Sequence, residues 1–120
     1  MKIKTSELTG VALDWAVAKA TGAELVEHQG DDLRVEICHG LAAHWSPSTS
    51  WSQCGPLIDR FRPDLMTGRN DGLVAYLNND ASSQEPLIEG HGGTYLVAAC
   101  RSIVVYALGD TVDVPEELLL

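Results

Sequence analysis

The segment from Thr94 to Leu108 constrains the fold of this chain more than any other. Apolar residues recur in it at helical spacing, at Leu96, Val97, Cys100, Ile103, Val104 and Ala107. Thr94 is a good N-cap residue and Gly109 a good C-terminal stop, so the pattern predicts a helix over 94–108. Because so apolar a face has to be covered by other elements, we expect this helix to form the centre of the core.

A second helix is predicted near the N-terminus, over about 9–20. Thr9 can cap its start, Gly22 can end it, and its apolar face is carried by small or branched residues such as Ala16 and Val17. The alanines favour the helical conformation and allow a neighbouring element to approach closely. The chain is therefore expected to bury two helices against a common core.

Strands are predicted between and around these helices. Residues 33–38 alternate apolar and polar side chains, which is the period of a strand with one buried face, and with residues 24–28 they predict a hairpin. Another strand is predicted at 73–77, and short extended segments at 1–5 and 111–114. The sequence thus predicts an α+β fold, with a small, mainly antiparallel sheet packed against the two main helices and a short third helix over 56–62.

The composition indicates one acidic domain. The 120 residues contain 8 Lys and Arg against 17 Asp and Glu, a net charge of −9. A single domain over 1–120 is expected from this length. Acidity argues against direct contact with nucleic acid or with anionic membranes. No apolar run approaches the roughly 20 residues of a membrane span, and no secretory signal is evident, so we expect a cytoplasmic protein.

The stretch 45–56 is the candidate binding segment. It is a polar loop between two tryptophans, and Pro56 is suited to the first position of the short helix. Such a loop brings backbone N–H groups and polar side chains to a helix N-terminus, which suits a small ligand or a partner surface. The candidate binding residues of this loop are Trp45, Ser48, Thr49, Trp51, Gln53 and Gly55. The alternative interpretation is that both tryptophans are core anchors and the hydroxyls only satisfy a tight loop.

Three separated motifs resemble the NinX-like family of phage and prophage proteins, whose function is not established. They are Ser6-Glu-Leu-Thr-Gly10 with Ala12-Leu-Asp-Trp15-Ala-Val-Ala-Lys19, then Ser48-Thr-Ser-Trp51-Ser-Gln53 with Gly55-Pro56-Leu-Ile58, then Leu96-Val-Ala-Ala-Cys-Arg101 with Gly109-Asp110 and Val112-Asp-Val-Pro115-Glu-Glu-Leu118. The resemblance covers nearly the whole chain and is weakest over 64–90. It implies a phage-encoded or prophage-encoded accessory protein in a bacterial cytoplasm, with a family site at 48–55 and around Arg101.

The resemblance supplies no substrate or catalytic residue, and the chain departs from the family pattern at two positions. Cys54 stands where the pattern has a glycine, and Tyr95 where it has a proline. A cysteine-dependent hydrolase remains the runner-up, with Cys54 near a helix N-terminus and a histidine as its base. The histidines available for that role are His39, His44 and His91.

Three further segments contain residues that could bind a metal, a phosphate or a charged ligand. Cys38, His39 and His44 match no closed zinc site, so no metal is expected. Gly90-His-Gly-Gly93 lacks the lysine of a P-loop and favours a hinge or a tight turn. For Arg101, the favoured role is a buried structural ion pair rather than ligand binding.

The acidic residues of the predicted hairpin raise one more possibility, an acidic DNA-mimic type inhibitor of a basic host protein. Five acids fall within this short segment, at Glu24, Glu27, Asp31, Asp32 and Glu36. Charge alone does not separate this function from simple solubility. Their clustering on one exposed surface would favour it.

The function that the sequence favours is therefore a non-enzymatic binding module that uses the loop 45–56. Its partner is an unidentified host or phage protein or a small ligand. A homodimer is a further possibility, and no cofactor is implied. Trp51 and Gln53 are predicted to lie at the binding surface, together with the other loop residues and Arg101.

Overall fold

The computed structural model describes residues 1–29, 32–38, 41–68, 72–78, 84 and 86–119, and for 27–29 and 37–38 it describes the backbone. The described part confirms the α+β class. The elements in chain order are β1 (Lys2–Lys4), a 3₁₀ turn (Thr5–Glu7), α1 (Gly10–Thr21), β2 (Leu25–Gln29), β3 (Asp32–Cys38), β4 (Leu41–His44), α2 (Trp51–Phe61), β5 (Asp64–Thr67), β6 (Leu73–Leu77), β7 (Ile88–Gly92), α3 (Tyr95–Leu108), β8 (Thr111–Asp113) and a final 3₁₀ turn (Glu116–Leu118).

The strands form antiparallel sheets that are small and separate. In the described residues β1 pairs with β8, β2–β3–β4 form a second sheet, and β5–β6–β7 form a third. The predicted hairpin is β2–β3, and the predicted strand 73–77 is β6. Strands β4, β5 and β7 were not predicted, because their short sequences lack a clear alternation of apolar and polar residues.

Helix α3 lies at the centre of the core, as predicted. It packs on strands β6 and β7, on α1 and on α2. Ile103, Val104 and Cys100 are fully buried, whereas Ala107 in the last turn is exposed. The Thr94 hydroxyl caps the helix by accepting the backbone N–H of Val97 at 3.1 Å. The most apolar segment of the sequence is therefore the segment that contacts most other elements.

The Gly90–Gly93 segment is not a hinge, and this prediction was wrong. Gly90 and Gly92 belong to strand β7, which lies directly on α3. A Cβ atom at Gly90 would lie 2.3 Å from the backbone nitrogen of Ser102 and 2.4 Å from the carbonyl oxygen of Ala98. The glycine is needed because a side chain would not fit between this strand and the helix.

Helix α1 packs its small residues against α3. Ala12, Leu13, Ala16 and Val17 are buried in the common core. The helix ends at Gly22, which adopts φ 77°, a left-handed conformation that glycine takes without strain. The prediction of a helix over about 9–20 is confirmed, with Thr9 as its N-cap residue.

Helix α2 begins at Trp51, five residues before the predicted start at Pro56, and this boundary was wrong. Cys54 and Leu57 are buried, and Ile58 packs against the same core, so the apolar face extends one turn further back than expected. Pro56 lies inside the helix on its exposed side. Because proline has no backbone N–H, the carbonyl of Ser52, four residues earlier, lacks its helical hydrogen bond. Ser52 is exposed, so water can supply the missing donor.

None of the helices in the described part of the chain is both long and apolar enough to cross a membrane.

Candidate functional site

The buried carboxylate of Asp14 holds the loop that precedes α2. Asp14 is only 5% exposed, and its Oδ1 accepts the backbone N–H of Ser48 at 2.8 Å. Burial raises the pKa of the Asp14 carboxyl, while hydrogen bonds from the backbone and hydroxyl of Ser48 and the nearby His44 oppose that rise. Ser48 is itself buried, so this bond ties the loop to the middle of α1.

Two more side chains close the same loop. The indole Nε1–H of Trp45 donates to the backbone carbonyl of Asp14 at 2.9 Å. Gln53 reaches back from α2: its Oε1 accepts the N–H of Ser46 at 2.6 Å, and its Nε2 donates to the carbonyl of His44. The predicted binding residues Trp45, Ser48 and Gln53 thus hold the loop in one conformation through contacts within the chain.

Thr49 and Gly55 are the other two predicted binding residues of the stretch 45–56, apart from Trp51. The exposed Thr49 contributes a tight turn, with its backbone N–H donating to Ser46 O at 3.0 Å and its hydroxyl to the same oxygen at 3.3 Å. Gly55 lies in α2, half-buried, and a Cβ atom there would meet nothing within 4 Å. The stretch 45–56 is therefore a loop only up to Ser50 and continues as helix.

Trp51 is the large aromatic residue of this stretch that is exposed. Its side chain is 58% exposed at the first residue of α2, although tryptophan is usually buried in large part. Ser52 and Pro56 on the same side of the helix are also exposed. The prediction that Trp51 lies at the surface agrees with this position, whereas Gln53 is half-buried and engaged with the loop backbone.

Cys54 contacts a second cysteine. Its Sγ lies 4.0 Å from Sγ of Cys100 on α3, and both side chains are fully buried. The hydrogen bond from Cys100 lowers the pKa of Cys54, and the same bond, together with burial, raises the pKa of Cys100. Among the described residues, which do not include His39, no histidine is hydrogen-bonded to the Cys54 thiol.

Arg101 is separate from the loop, and among the described residues no carboxylate forms the ion pair that was predicted for it. Its Nε and Nη2 donate to the carbonyl of Leu8 at 3.1 and 2.9 Å, and its Nη1 donates to the carbonyl of His91 at 2.7 Å. Among the described residues its hydrogen bonds go to backbone carbonyls and to no carboxylate. The 3₁₀ turn that precedes α1 and strand β7 both present carbonyls at this point of α3, and the guanidinium joins them.

The acidic hairpin is only partly within the described residues. Asp31 and the side chain of Glu27 lie outside them. Asp32 contacts Nδ1 of His44 at 2.8 Å and Nε of Arg34 at 3.3 Å, and the hydrogen bond with His44 is the main cause of its lowered pKa. Asp32 therefore has a cationic neighbour, Arg34, and a hydrogen-bond partner, His44.

Asp14 is the residue of the site that the sequence interpretation missed. It was not among the candidate residues, yet it is buried beside Cys54 and Cys100, whose thiolate forms its charge disfavours. The available signal was a single carboxylate in an alanine-rich helix that otherwise carries only Lys19 as a charge. Cys38, His39 and His44 were not expected to bind a metal; His39 is not described, and no group of three metal-binding side chains occurs in the described part.

A family model described as Bacteriophage P22, NinX matches residues 4–106, which include Asp14, the loop and Arg101. No curated protein matches the chain.

Proposed function

Because the chain belongs to the phage P22 NinX family, we propose that it is a phage-encoded binding module that docks onto another protein through the surface centred on Trp51. The observation that carries this proposal is the 58% exposure of the Trp51 side chain at the start of α2. Tryptophan is among the residues most enriched at the energetic centres of protein interfaces.

The position of Trp51 is fixed before any partner arrives. The preceding loop is tied to Asp14 through Ser48 and to the chain backbone through Gln53. The cost of ordering a binding segment is therefore met by folding rather than by association. A rigid loop that presents an exposed indole is favourable for binding, because little conformational entropy remains to be lost.

The chemistry of the surface indicates the kind of partner. Trp51, Ser52 and Pro56 offer an apolar ring, a hydroxyl and a proline on the outer side of α2. An indole anchor requires an apolar pocket in the partner, with a polar rim around it. We therefore propose a folded phage or host protein with such a pocket as the partner.

The test uses photo-crosslinking from the site itself. Benzoylphenylalanine is placed at position 51 in one variant and at position 106 in a control, because Tyr106 is an aromatic residue of similar exposure, 50%, on α3. Both variants are irradiated in bacterial cells with and without phage infection. We expect a discrete adduct from position 51 that position 106 does not give.

The captured protein is then purified and its affinity measured. Trp51→Ala should weaken the affinity by at least about 30-fold, as expected for an interface anchor, and Trp51→Phe should be intermediate. Equal affinity for the wild type and Trp51→Ala would contradict the proposal, as would identical adducts from positions 51 and 106. Sedimentation of the wild type and of Trp51→Ala, each without the captured protein, tests whether the partner is a second copy of the chain.

A further inference from the structure

The cleft beside Arg101 is distinct from the Trp51 surface. It has a volume of about 270 Å³ and lies between the N-terminal segment, β7 and the end of α3. Lys4, Ser6 and Arg101 line it with polar and cationic groups, and Glu89 and Asp110 are its acidic lining residues. A cleft of this size accommodates a very small ligand or one group of a larger one.

The Arg101 guanidinium is held rigidly, and no carboxylate in the described part of the chain is paired with it. Its three described hydrogen bonds all go to carbonyl oxygens of Leu8 and His91, which fix its plane without cancelling its charge. Burial opposes this charge and lowers its pKa. Partly buried charges in proteins are normally paired, so a guanidinium that keeps its charge beside a cleft is suited to an anion.

The donors that remain are sufficient for such a ligand. Arginine has five N–H groups, and the described contacts use three of those on Arg101. The exposed Lys4 adds a second positive charge and Ser6 a hydroxyl. We propose that this cleft binds a small oxyanion, a carboxylate or a phosphate group, through Arg101 and Lys4.

The acidic lining residues define the charge that the cleft accepts. Glu89 and Asp110 are exposed, and neither forms an ion pair with Arg101 among the described residues. Two cations and two anions around one cleft favour a ligand with a single compact negative group over a highly charged polyanion. The phosphate backbone of a nucleic acid is therefore not the expected ligand.

Inorganic phosphate and acetate are the probes of the test. Each is titrated into the isotope-labelled protein at constant ionic strength, and NMR follows the Nε–H signal of Arg101 and the amides of Ser6 and His91. We expect saturable shifts with at least one probe, and the probe that saturates identifies the oxyanion. Shifts that stay linear with both probes, or that spread evenly over the protein, would overturn the proposal.

Charge variants separate binding from a purely structural role of Arg101. Lys4→Gln should weaken the affinity by at least about threefold, the effect of one partly exposed charge. Lys19→Gln makes the same charge change on α1, away from the cleft, and should leave the affinity unchanged. Equal affinities of the wild type and Lys4→Gln would overturn the proposal even if Arg101 variants fail to fold.

Two further variants test the direction of the effect. Glu89→Gln removes a repulsive charge and should tighten binding by about threefold. Arg101→Lys keeps the charge but loses the planar fork, so its affinity should fall about tenfold. An unchanged or weaker affinity of Glu89→Gln would contradict the electrostatic basis of the site.

Discussion

The carboxylate of Asp14 accepts a 2.8 Å hydrogen bond from the backbone N–H of Ser48, and through this bond a helix near the N-terminus fixes a loop in the middle of the chain. Both residues are buried. The bond satisfies a loop N–H that water cannot reach, and it ties the segment that precedes α2 to α1.

Removal of the Asp14 carboxylate should destabilise the fold. Asp14→Ala leaves the buried N–H of Ser48 without its acceptor, which costs about 1–3 kcal/mol in the free energy of unfolding. Asp14→Asn keeps an acceptor oxygen and should lose less. Urea denaturation measures both, and Asp59→Ala, an exposed position on α2, is the control, expected within about 0.5 kcal/mol of wild type. Equal stability of Asp14→Ala and wild type would show that the bond is unimportant.

The stabilising effect of Asp14 should decline as pH rises. Burial raises the pKa of its carboxyl above the model-compound value of 3.8, so the folded protein holds this proton more tightly than the unfolded chain. The contribution of this ionisation is therefore most favourable below the unfolded pKa and is lost as pH rises through the folded pKa. Wild-type stability minus that of Asp14→Asn should fall as the pH rises above the unfolded value of 3.8.

The same pH series in a His44→Gln background isolates the carboxyl, because the charge of His44 opposes the rise in the Asp14 pKa. The decline should be larger in that background and should extend to higher pH, because the folded pKa of Asp14 is then raised further. A stability difference that increases with pH would mean that hydrogen bonding, rather than burial, dominates at Asp14.

Truncation of Trp45 should cost more stability than truncation of Trp51. Trp45 packs against the core and donates to the Asp14 carbonyl, so Trp45→Ala should lose about 2–3 kcal/mol of stability. Trp51→Ala removes a largely exposed side chain and should lose less than about 1 kcal/mol of stability, while it weakens docking. Thermal or urea unfolding measures the difference. A larger loss for Trp51→Ala than for Trp45→Ala would indicate that Trp51 is structural.

An alanine at Gly90 should disrupt the packing of β7 on α3, whereas an alanine at Gly93, the control, should not. Gly90→Ala places a methyl group within 2.4 Å of backbone atoms of α3, and because the backbone cannot rotate away, the loss should be about 3 kcal/mol or more. Gly93→Ala meets nothing within 4 Å and should change stability by less than about 0.5 kcal/mol. Equal stabilities of the two variants would contradict the close strand–helix contact.

The Cys54 and Cys100 thiols should be protected in the native protein. Both are fully buried and 4.0 Å apart, so alkylation requires local opening. Mass spectrometry of each cysteine-containing peptide should show alkylation at least about a hundredfold slower at these positions in buffer than in denaturant. Rapid native alkylation of Cys54 would instead support a reactive thiol, as the hydrolase alternative requires.

The main helices could be predicted because their signals are local. The apolar period of 94–108, the cap at Thr94 and the stop at Gly22 act within a few residues of one another, and α3 and α1 form where the pattern indicates. Helix α2 was predicted too short because Pro56 suggested a first position. Its true start depends on Cys54, which is buried only because α3 supplies the contact.

The sequence by itself determined the α+β class, the central helix and the hairpin, because periodicity and capping are properties of neighbouring residues. Only the tertiary structure decided that Asp14 is buried, that Gly90 lies against α3, that Arg101 binds carbonyls, and that Trp51 rather than Gln53 faces outwards. Asp14 and Arg101 depend on partners distant in the chain, Gly90 depends on the helix packed against it, and Gln53 turns inwards onto the backbone of the preceding loop. Such partners are brought together by packing, which local spacing does not encode.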